Sequence, residues 1–293
     1  MRTFILGTDW GTDCDDAVAV RILARAHKQG KIQIAGIAIN NCMENSIESL
    51  EGFLNTEEIY DVPIGIDRNA VFGGRPTYQN GLKEYARKYK TNDGAMDAVR
   101  LYRKILADAD DMVEIAEVGF LQIVSALLKS GKDDISDKTG IELVKEKVAK
   151  FWVMAGKWDE HGGKEYNFSC NENTCAAAHD FCELCPVPIT FLGFEIGKDV
   201  VTGTKLDKDD ILYKALCDYG AADGRFSWDP MLVALAIEGD ERKAGYDFVC
   251  GKATVDKQSG LNYFEKDENG SHRYVVRKYN AEYYRDIIDE LIK

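Results

Sequence analysis

Short apolar segments alternate with amphipathic segments along most of the chain, and this alternation restricts the folds that are open to it. The apolar segments typical of β-strands are residues 4–8, 32–40, 62–66, 113–119, 151–155 and 187–193. Helical periodicity covers residues 15–29, 44–58, 95–108, 120–130 and 171–184. Several strand segments are apolar at odd and even positions, as expected where helices cover both faces of a sheet. The pattern predicts an α/β fold with a mostly parallel central sheet and flanking helices.

The last third of the chain follows a different pattern. Beyond residue 205 the periodicity is mainly helical, and a polar segment then leads to a predicted strand at 273–279. A final helix is predicted over 280–292 with Asn280 as its N-cap. No repeat, low-complexity tract or linker interrupts the 293 residues, of which 45% are hydrophobic. We therefore expect residues 1–293 to form a single domain around one large core.

Charge excludes two classes of partner. The chain has 50 acidic and 37 basic residues, for a net charge of −13. Nucleic-acid-binding surfaces and surfaces that dock on anionic lipid are normally basic, so we expect neither partner. No apolar run reaches the roughly 18–20 residues that span a bilayer, and the N-terminal segment lacks a cleavage site of small residues. We expect a cytoplasmic protein.

Eight cysteines are spread along the chain, and four of them form a local cluster: Cys170, Cys175, Cys182 and Cys185. A zinc or redox site is one interpretation of this cluster. However, the spacing lacks the paired C-x2-C repeats of a zinc ribbon, and no strand precedes the C-x-x-C. We favour a helix that ends before Pro186 and carries buried thiols, since free cysteine packs as a small hydrophobic residue.

An acidic cluster follows the first strand. Asp9, Asp13, Asp15 and Asp16 fall within eight residues, directly before a helical segment. Ligands of open α/β sheets bind at this end of the strands. Carboxylates this close repel one another unless a cation, protons or hydrogen-bond donors compensate them, and Ca²⁺ and Mg²⁺ prefer oxygen ligands. One such acid would be interpreted as a helix N-cap or first-turn residue, but four predict a cation site.

Several motifs in order resemble the inosine–uridine-type nucleoside hydrolases. They are G-T-D-W-G at 7–11 with D-D-A at 15–17, N-N at 40–41, V-G-F-L-Q at 118–122, M-A-G at 154–156, E-Y-N-F at 165–168, V-T-G at 201–203 and S-W-D-P at 227–230. The first motif is similar to a branch of the family in which it is widened to G-T-D-x-D-D. The resemblance covers nearly the whole chain and implies hydrolysis of the N-glycosidic bond of a ribonucleoside.

The resemblance also implies roles for individual residues. It assigns Ca²⁺ to Asp9, Asp16, Asp229 and the Gln122 backbone carbonyl, and the general base to Asp15. It places Asn40 or Asn41, Glu165 and Asn167 on the ribose hydroxyls. The indole of Trp228 can stack on a base or close the pocket. A small-molecule nucleoside is the implied partner, and a homo-oligomer, dimer or tetramer, is the implied assembly.

Three positions depart from the family pattern. Gly7 stands where the family has its first acid, and two extra residues precede Asp15, so that Asp13 could take the role of Asp15 or Asp9. Trp228 stands where well-known members have the histidine that protonates the leaving base, and an indole cannot act as a general acid. Among the four histidines, His161 is the best candidate substitute.

Two alternatives to an active hydrolase are considered. Gly7 and Trp228 are compatible with a decayed relative that binds nucleoside or ribose without turnover. The segment D-W-G-T at 9–12 superficially resembles the D-x-D-G-T motif of haloacid-dehalogenase-like phosphotransferases. That motif requires a second aspartate where this chain has Gly11, which disfavours the interpretation.

Overall fold

The computed structural model describes residues 1–293. The strands are β1 (Arg2–Thr8), β2 (Ile32–Ile39), β3 (Ile64–Ile66), β4 (Met96–Asp97), β5 (Val113–Glu117), β6 (Val148–Met154), β7 (Ile189–Leu192), β8 (Val201–Thr202), β9 (Arg225–Phe226), β10 (Tyr246–Val255), β11 (Asn262–Lys266) and β12 (His272–Arg277). The helices are α1 (Asp15–Lys28), α2 (Ser46–Thr56), α3 (Gln79–Leu82), α4 (Ala98–Asp108), α5 (Gln122–Lys129), α6 (Gly140–Lys147), α7 (Tyr166–Ser169), α8 (Glu172–Leu184), α9 (Phe194–Gly197), α10 (Ile211–Tyr219), α11 (Trp228–Glu238) and α12 (Ala281–Leu291).

Ten strands form one sheet in the order β11-β10-β12-β7-β6-β5-β1-β2-β3-β4, and every pair from β12 to β4 is parallel. The predicted α/β class is confirmed. Strand β1 shows why its segment is apolar throughout: Phe4 and Leu6 belong to the core on one face, whereas Ile5 belongs to the core on the other. Both faces of the sheet are buried under helices, as in other parallel sheets.

The prediction of mainly helical structure after residue 205 is wrong for residues 246–266. Strand β10 pairs antiparallel with both β11 and β12 and extends the sheet at one edge. The sequence pattern concealed β10 and β11 because they are only partly buried, so that polar and apolar residues mix along them. Partly exposed strands of this kind, at and next to the edge of a sheet, lack the continuous apolar runs of the central strands.

The cysteine cluster lies on and around α8, as predicted. Asn171 caps this helix, and its side chain accepts hydrogen bonds from the backbone N–H groups of Asn173 and Thr174. All eight cysteines are free, and Cys175 and Cys182 are buried. Burial raises the pKa of the Cys185 thiol to about 12. These thiols therefore pack as apolar groups, and they do not converge as a metal site.

None of the helices combines the length and the apolar composition that crossing a membrane would require. The final helix, α12, begins after Asn280 as predicted, and the Asn280 side chain accepts a hydrogen bond of 3.2 Å from the backbone N–H of Tyr283.

Candidate functional site

The loop between β1 and α1 is held rigidly by buried side chains from elsewhere in the chain. The Tyr78 hydroxyl accepts a hydrogen bond from the Gly11 N–H and donates one to the Asp13 carbonyl, each at 2.8 Å. The buried Trp10 indole donates to the Ser49 hydroxyl, also at 2.8 Å. Gly11 adopts a φ of 100°, a conformation that strongly favours glycine. The loop therefore has one geometry, which sets the positions of the acids on either side of it.

Three carboxylates converge where two helices begin. One oxygen from each of Asp15, Asp16 and Asp229 lies within 4.8 Å of the others. The first two residues open α1 and the third lies in the first turn of α11. The Asp229 backbone N–H donates to Asp15 Oδ2 at 3.3 Å. Helix N-termini favour negative charge, so both helices stabilise these acids, although each contributes only about 0.3–1 kcal/mol.

We call these three carboxylates the acidic trio; Arg225 partly offsets the charge of Asp15 without contacting it. No Lys, Arg or His forms an ion pair with any member. Burial, together with repulsion from neighbouring aspartates, raises the pKa of all three well above the ordinary range. Asp16 Oδ1 accepts a hydrogen bond from Thr8, but its Oδ2 is buried without a partner. An all-oxygen set with an orphaned acceptor fits a hard divalent cation.

Asp9 follows β1 and faces the same cavity as Asp15 and Asp229, although it lies outside the closest group of three. Burial raises its pKa to about 7. A side chain at Gly119 would overlap both Asp9 and the Asn40 side chain, so glycine permits their close approach. Asn40 Oδ1 accepts from the Phe120 N–H at 3.1 Å, while its Nδ2 is a buried donor without a partner.

Glu165 and Asn167 lie on the opposite wall of the cavity. Glu165 accepts hydrogen bonds from the N–H groups of Gly156 at 3.0 Å and Asn167 at 2.8 Å, yet burial raises its pKa to about 7. Asn167 Nδ2 donates to the carbonyls of Val118 and Met154 at the ends of β5 and β6. Its Oδ1 remains free to accept a hydrogen bond from a ligand.

The cavity above the trio has a volume of about 350 Å³ and a strongly aromatic rim. Trp228 stacks on Phe194 with ring centroids 5.4 Å apart, and its indole N–H donates to the Phe194 carbonyl at 2.8 Å. The residues around the cavity are Asp9, Thr12, Asp13, Asp15, Val118, Met154, Glu165, Tyr166, Asn167, Phe194, Tyr219, Arg225, Trp228 and Asp229. Acids thus line one end and flat rings the other, an arrangement suited to a sugar joined to a planar group.

Five sequence candidates lie outside the cavity lining: Asp16 and Asn40, described above, and Asn41, Gln122 and His161. Asn41 Nδ2 donates to the Thr12 hydroxyl at 2.7 Å and supports the loop rather than lining the cavity. The Gln122 side chain donates to the Asn40 carbonyl at 3.1 Å, and the residue opens α5 outside the lining. His161 packs edge-on against Tyr263, with centroids 4.9 Å apart, and does not reach the cavity.

Sequence reasoning missed several residues of the cavity, above all Arg225. Its guanidinium forms a two-pronged ion pair with Asp13, in which Nε donates to Oδ1 at 2.8 Å and Nη2 donates to Oδ2. The charge of Asp13 is therefore compensated by an ion pair, whereas no member of the acidic trio has one. The signal available was the segment R-F-S-W at 225–228, where one cation lies among aromatic residues directly before Asp229.

The acid that is missing at Gly7 has a counterpart on the neighbouring strand. Gly7 and Glu117 are directly paired in the β1–β5 register. A side chain at residue 7 would overlap the Glu117 carboxyl group, which therefore occupies the space left by the glycine. Glu117 accepts a hydrogen bond of 2.8 Å from the Tyr102 hydroxyl, and burial raises its pKa to about 8. A buried carboxyl group is present here, supplied by β5 instead of β1.

A second cavity, of about 450 Å³, lies between α1, α11 and α12. Thirteen of its 17 lining residues are hydrophobic, and it contains no cluster of acids. Because a binding site for a polar ligand needs converging polar groups, we place the candidate site at the acidic trio.

No family model and no curated protein matches the chain by sequence. Solved structures that resemble it include nucleoside hydrolases. A plant nucleoside hydrolase has a TM-score of 0.73 at 16% identity, covering 99% of this chain and 98% of that one. An inosine–uridine-preferring nucleoside hydrolase from Bacillus anthracis has a TM-score of 0.67 at 13% identity, covering 100% and 99%. The chain therefore has the fold of these hydrolases.

A further structural neighbour is described differently. The type III effector protein XopQ, whose structure holds adenosine diphosphate ribose, has a TM-score of 0.69 at 15% identity. The alignment covers 100% of this chain and 93% of that protein. The same architecture thus occurs in proteins named for catalysis and in one named as an effector.

Proposed function

We propose that this protein is a calcium-dependent nucleoside N-ribohydrolase, which cleaves the N-glycosidic bond of a ribonucleoside into ribose and free base. The observation that carries the proposal is the acidic trio. Three buried carboxylates without a protein cation lie at the floor of a cavity, in a fold shared with nucleoside hydrolases. Burial of this kind is costly unless a ligand from outside supplies the missing charge.

Asp9, Asp16 and Asp229 would hold the calcium ion, with the Gln122 carbonyl as a further ligand by family resemblance. Their oxygens form a hard donor set, and Asp16 Oδ2 has no other partner. When bound, the ion would lower the pKa of a water molecule and bind sugar hydroxyls as a Lewis acid.

Asp15 is the proposed general base. Its Oδ2 accepts the Asp229 N–H, which orients the carboxylate, and its side chain lines the cavity. It removes a proton from the attacking water as that water's oxygen bonds to C1′ and the C1′–N bond breaks. Burial, together with repulsion from Asp13, raises the pKa of Asp15, which favours uptake of the proton that the water gives up.

The remaining cavity residues bind and orient the substrate. The free Oδ1 of Asn167 and the carboxyl group of Glu165 face the space for ribose, and Asn40 adds an unused N–H donor at the adjacent strand end. The rings of Trp228 and Phe194 provide a flat surface for the base. A homo-oligomer, on family resemblance, and a cytoplasmic location, on the sequence pattern, remain part of the proposal.

A panel of ribosides tests the proposal. The full-length protein with calcium is incubated with inosine, adenosine, uridine, cytidine and other N-ribosides, and released ribose is measured as reducing sugar. We expect release from at least one substrate and loss of release after chelation. The exposed Asp111→Asn variant serves as a matched control and should behave as the wild type. No release from any substrate by calcium-bound protein would contradict the proposed activity.

The second candidate function is binding of a riboside without turnover. It is favoured by Trp228, which cannot protonate a leaving base, and by the likeness to an effector whose structure holds adenosine diphosphate ribose. Calorimetric titration of the same ribosides separates the two functions. Tight binding together with no release of ribose would support this alternative.

A further inference from the structure

Arg225 is the only cationic side chain that lines the cavity. It belongs to β9, which pairs with β8 in a small separate sheet, and it lies three residues before Trp228. Neither the acidic trio nor the ribose-binding side chains need it. A lone cation at the mouth of an acidic cavity requires an explanation of its own.

The guanidinium has one fixed orientation. Asp13 accepts hydrogen bonds from Nε and Nη2, and its Oδ1 also accepts the Cys14 N–H at 2.6 Å. The backbone carbonyl of Asp13 accepts from Tyr78. Two-pronged pairs of this type fix geometry as well as charge. The remaining nitrogen, Nη1, donates to no protein atom and is left for a ligand.

The same guanidinium lies beside the aromatic part of the cavity. Its central carbon is 5.8 Å from the Tyr219 ring centroid and 5.7 Å from the Trp228 ring centroid, and both rings line the cavity. A planar base held between such rings presents ring nitrogens or carbonyl oxygens at its edge. The guanidinium, which lines the same cavity, is therefore near the place where those acceptors would be.

We propose that Arg225, oriented by Asp13, is the leaving-group residue of this site and acts by charge instead of by proton transfer. As the C1′–N bond breaks, its electron pair passes to the base nitrogen, and the guanidinium binds the resulting anion. Water supplies the oxygen that bonds to C1′, Asp15 takes the proton of that water, and the departing base takes its proton from solvent. No histidine lines the cavity, so this arrangement answers the problem raised by Trp228.

This inference rests on the proposed function and defines its substrate class. The site should favour neutral N-ribosides whose base departs as an anion with an acceptor at its edge, because preorganised charge is strongest where charge develops. It should disfavour N-ribosides with a cationic base, such as nicotinamide riboside, because their base departs neutral and the ground state is repelled by Arg225.

The test compares kcat/KM for inosine and nicotinamide riboside in wild type, Arg225→Gln and Arg225→Lys. If nicotinamide riboside turns over too slowly to measure, its inhibition constant against inosine hydrolysis is compared instead of kcat/KM. Arg225→Gln should lower the value for inosine by about 10²-fold, the usual effect of losing one such donor. It should leave kcat/KM for nicotinamide riboside unchanged or raise it, because Asp13 then lacks its counter-charge and attracts the cationic base. Arg225→Lys should recover part of the loss on inosine.

Asp13→Asn tests the positioning role separately. It should lower kcat/KM for inosine less than Arg225→Gln does, because the guanidinium loses its fixed partner but not its charge. Added to Arg225→Lys, it should cause no further loss. Equal losses on both ribosides in Arg225→Gln, or no loss on inosine, would overturn the inference while the hydrolase remained established. Absence of turnover in wild type would instead contradict the proposed function, and the inference with it.

Discussion

The parallel sheet has one edge where its strands begin and another where they end. The pKa values of buried carboxylates shift in opposite directions at these two edges. At the edge where the strands begin, Glu241 accepts hydrogen bonds from Lys150 at 2.6 Å and Thr190 at 2.9 Å. Burial opposes its ionisation, but these bonds and the lysine charge outweigh burial, and the pKa of Glu241 is lowered. At the edge where the strands end, the acidic trio accepts hydrogen bonds from Thr8 and the Asp229 N–H but has no ion-paired cation, and burial raises the pKa of each member.

An ion-paired cation distinguishes a buried acid that stabilises the fold from the acids that we propose bind a ligand. A buried carboxylate with its own cation is complete within the protein. The trio is complete only with a charge from outside, and it lies where ligands of α/β sheets bind. The buried acids without an ion pair therefore lie at the edge where we propose the active site.

The largest expected effect concerns activity. Asp15→Asn keeps the shape of the side chain but removes the base, so riboside hydrolysis should fall by about 10²–10⁴-fold. Glu241→Gln at the other edge is the matched control and should change kcat/KM less than about twofold. Reducing-sugar release under saturating calcium measures both variants. An active Asp15→Asn protein would remove Asp15 from the proposed chemistry.

Stability should respond in the opposite sense at the two edges. Glu241→Ala leaves the partly buried Lys150 without its partner, so the cost should lie below the roughly 3–5 kcal/mol of a fully buried pair. Asp229→Asn removes one of three repelling charges, so without calcium it should stabilise the protein by about 1 kcal/mol. Urea unfolding in the presence of chelator at pH 8 gives both free energies. Destabilisation of the same size in both variants would erase the distinction between the edges.

Calcium should act on its proposed ligands, Asp9, Asp16 and Asp229, and not on Glu241. At a free concentration 100 times its dissociation constant, it should add about 2.7 kcal/mol to the free energy of unfolding, and chelation should remove this gain. In Asp229→Asn the gain should shrink strongly, whereas in Glu241→Gln it should persist. Thermal unfolding with and without calcium measures the difference. Equal gains in wild type and Asp229→Asn would exclude the trio as the binding site.

The same contrast shows what the sequence could predict. Strands such as residues 4–8 are apolar on both faces because two cores cover them, and the acids after them are adjacent in sequence, so the fold and much of the trio were predictable. Asp229 was placed by family resemblance, since more than 200 residues separate it from Asp15. Strand β10 was missed because a partly exposed strand has no continuous apolar pattern.

Pairings between distant side chains could not be predicted in the same way. Nothing local in the sequence connects Asp13 with Arg225, or the absent acid at Gly7 with Glu117, because the loop path and the strand register decide both. Sequence spacing alone left Asp13 interchangeable with Asp15. Its ion pair gives it a partner that Asp15 lacks, and only three-dimensional structure supplies that information.

The smallest expected effect concerns Glu117 and the pH dependence of the free energy of unfolding. It is buried without a cation, as the trio is, but it holds a hydrogen bond from Tyr102 and has a pKa raised by burial to about 8. Between its ordinary pKa of 4.5 and about 8, the folded protein binds a proton that the unfolded chain has released, so stability decreases as pH rises. This contribution approaches 1.4 kcal/mol per pH unit.

Glu117→Gln should remove that slope between pH 6 and pH 7 in calcium-saturated protein, as measured by urea unfolding at the two pH values. The uncharged amide keeps the shape and does not titrate, so wild type minus variant isolates Glu117 from the remaining carboxyl groups. An unchanged slope would mean that Glu117 is already ionised in the folded state. It would then belong with the trio as an acid that needs an external charge, and the cation site would extend to the Gly7 position.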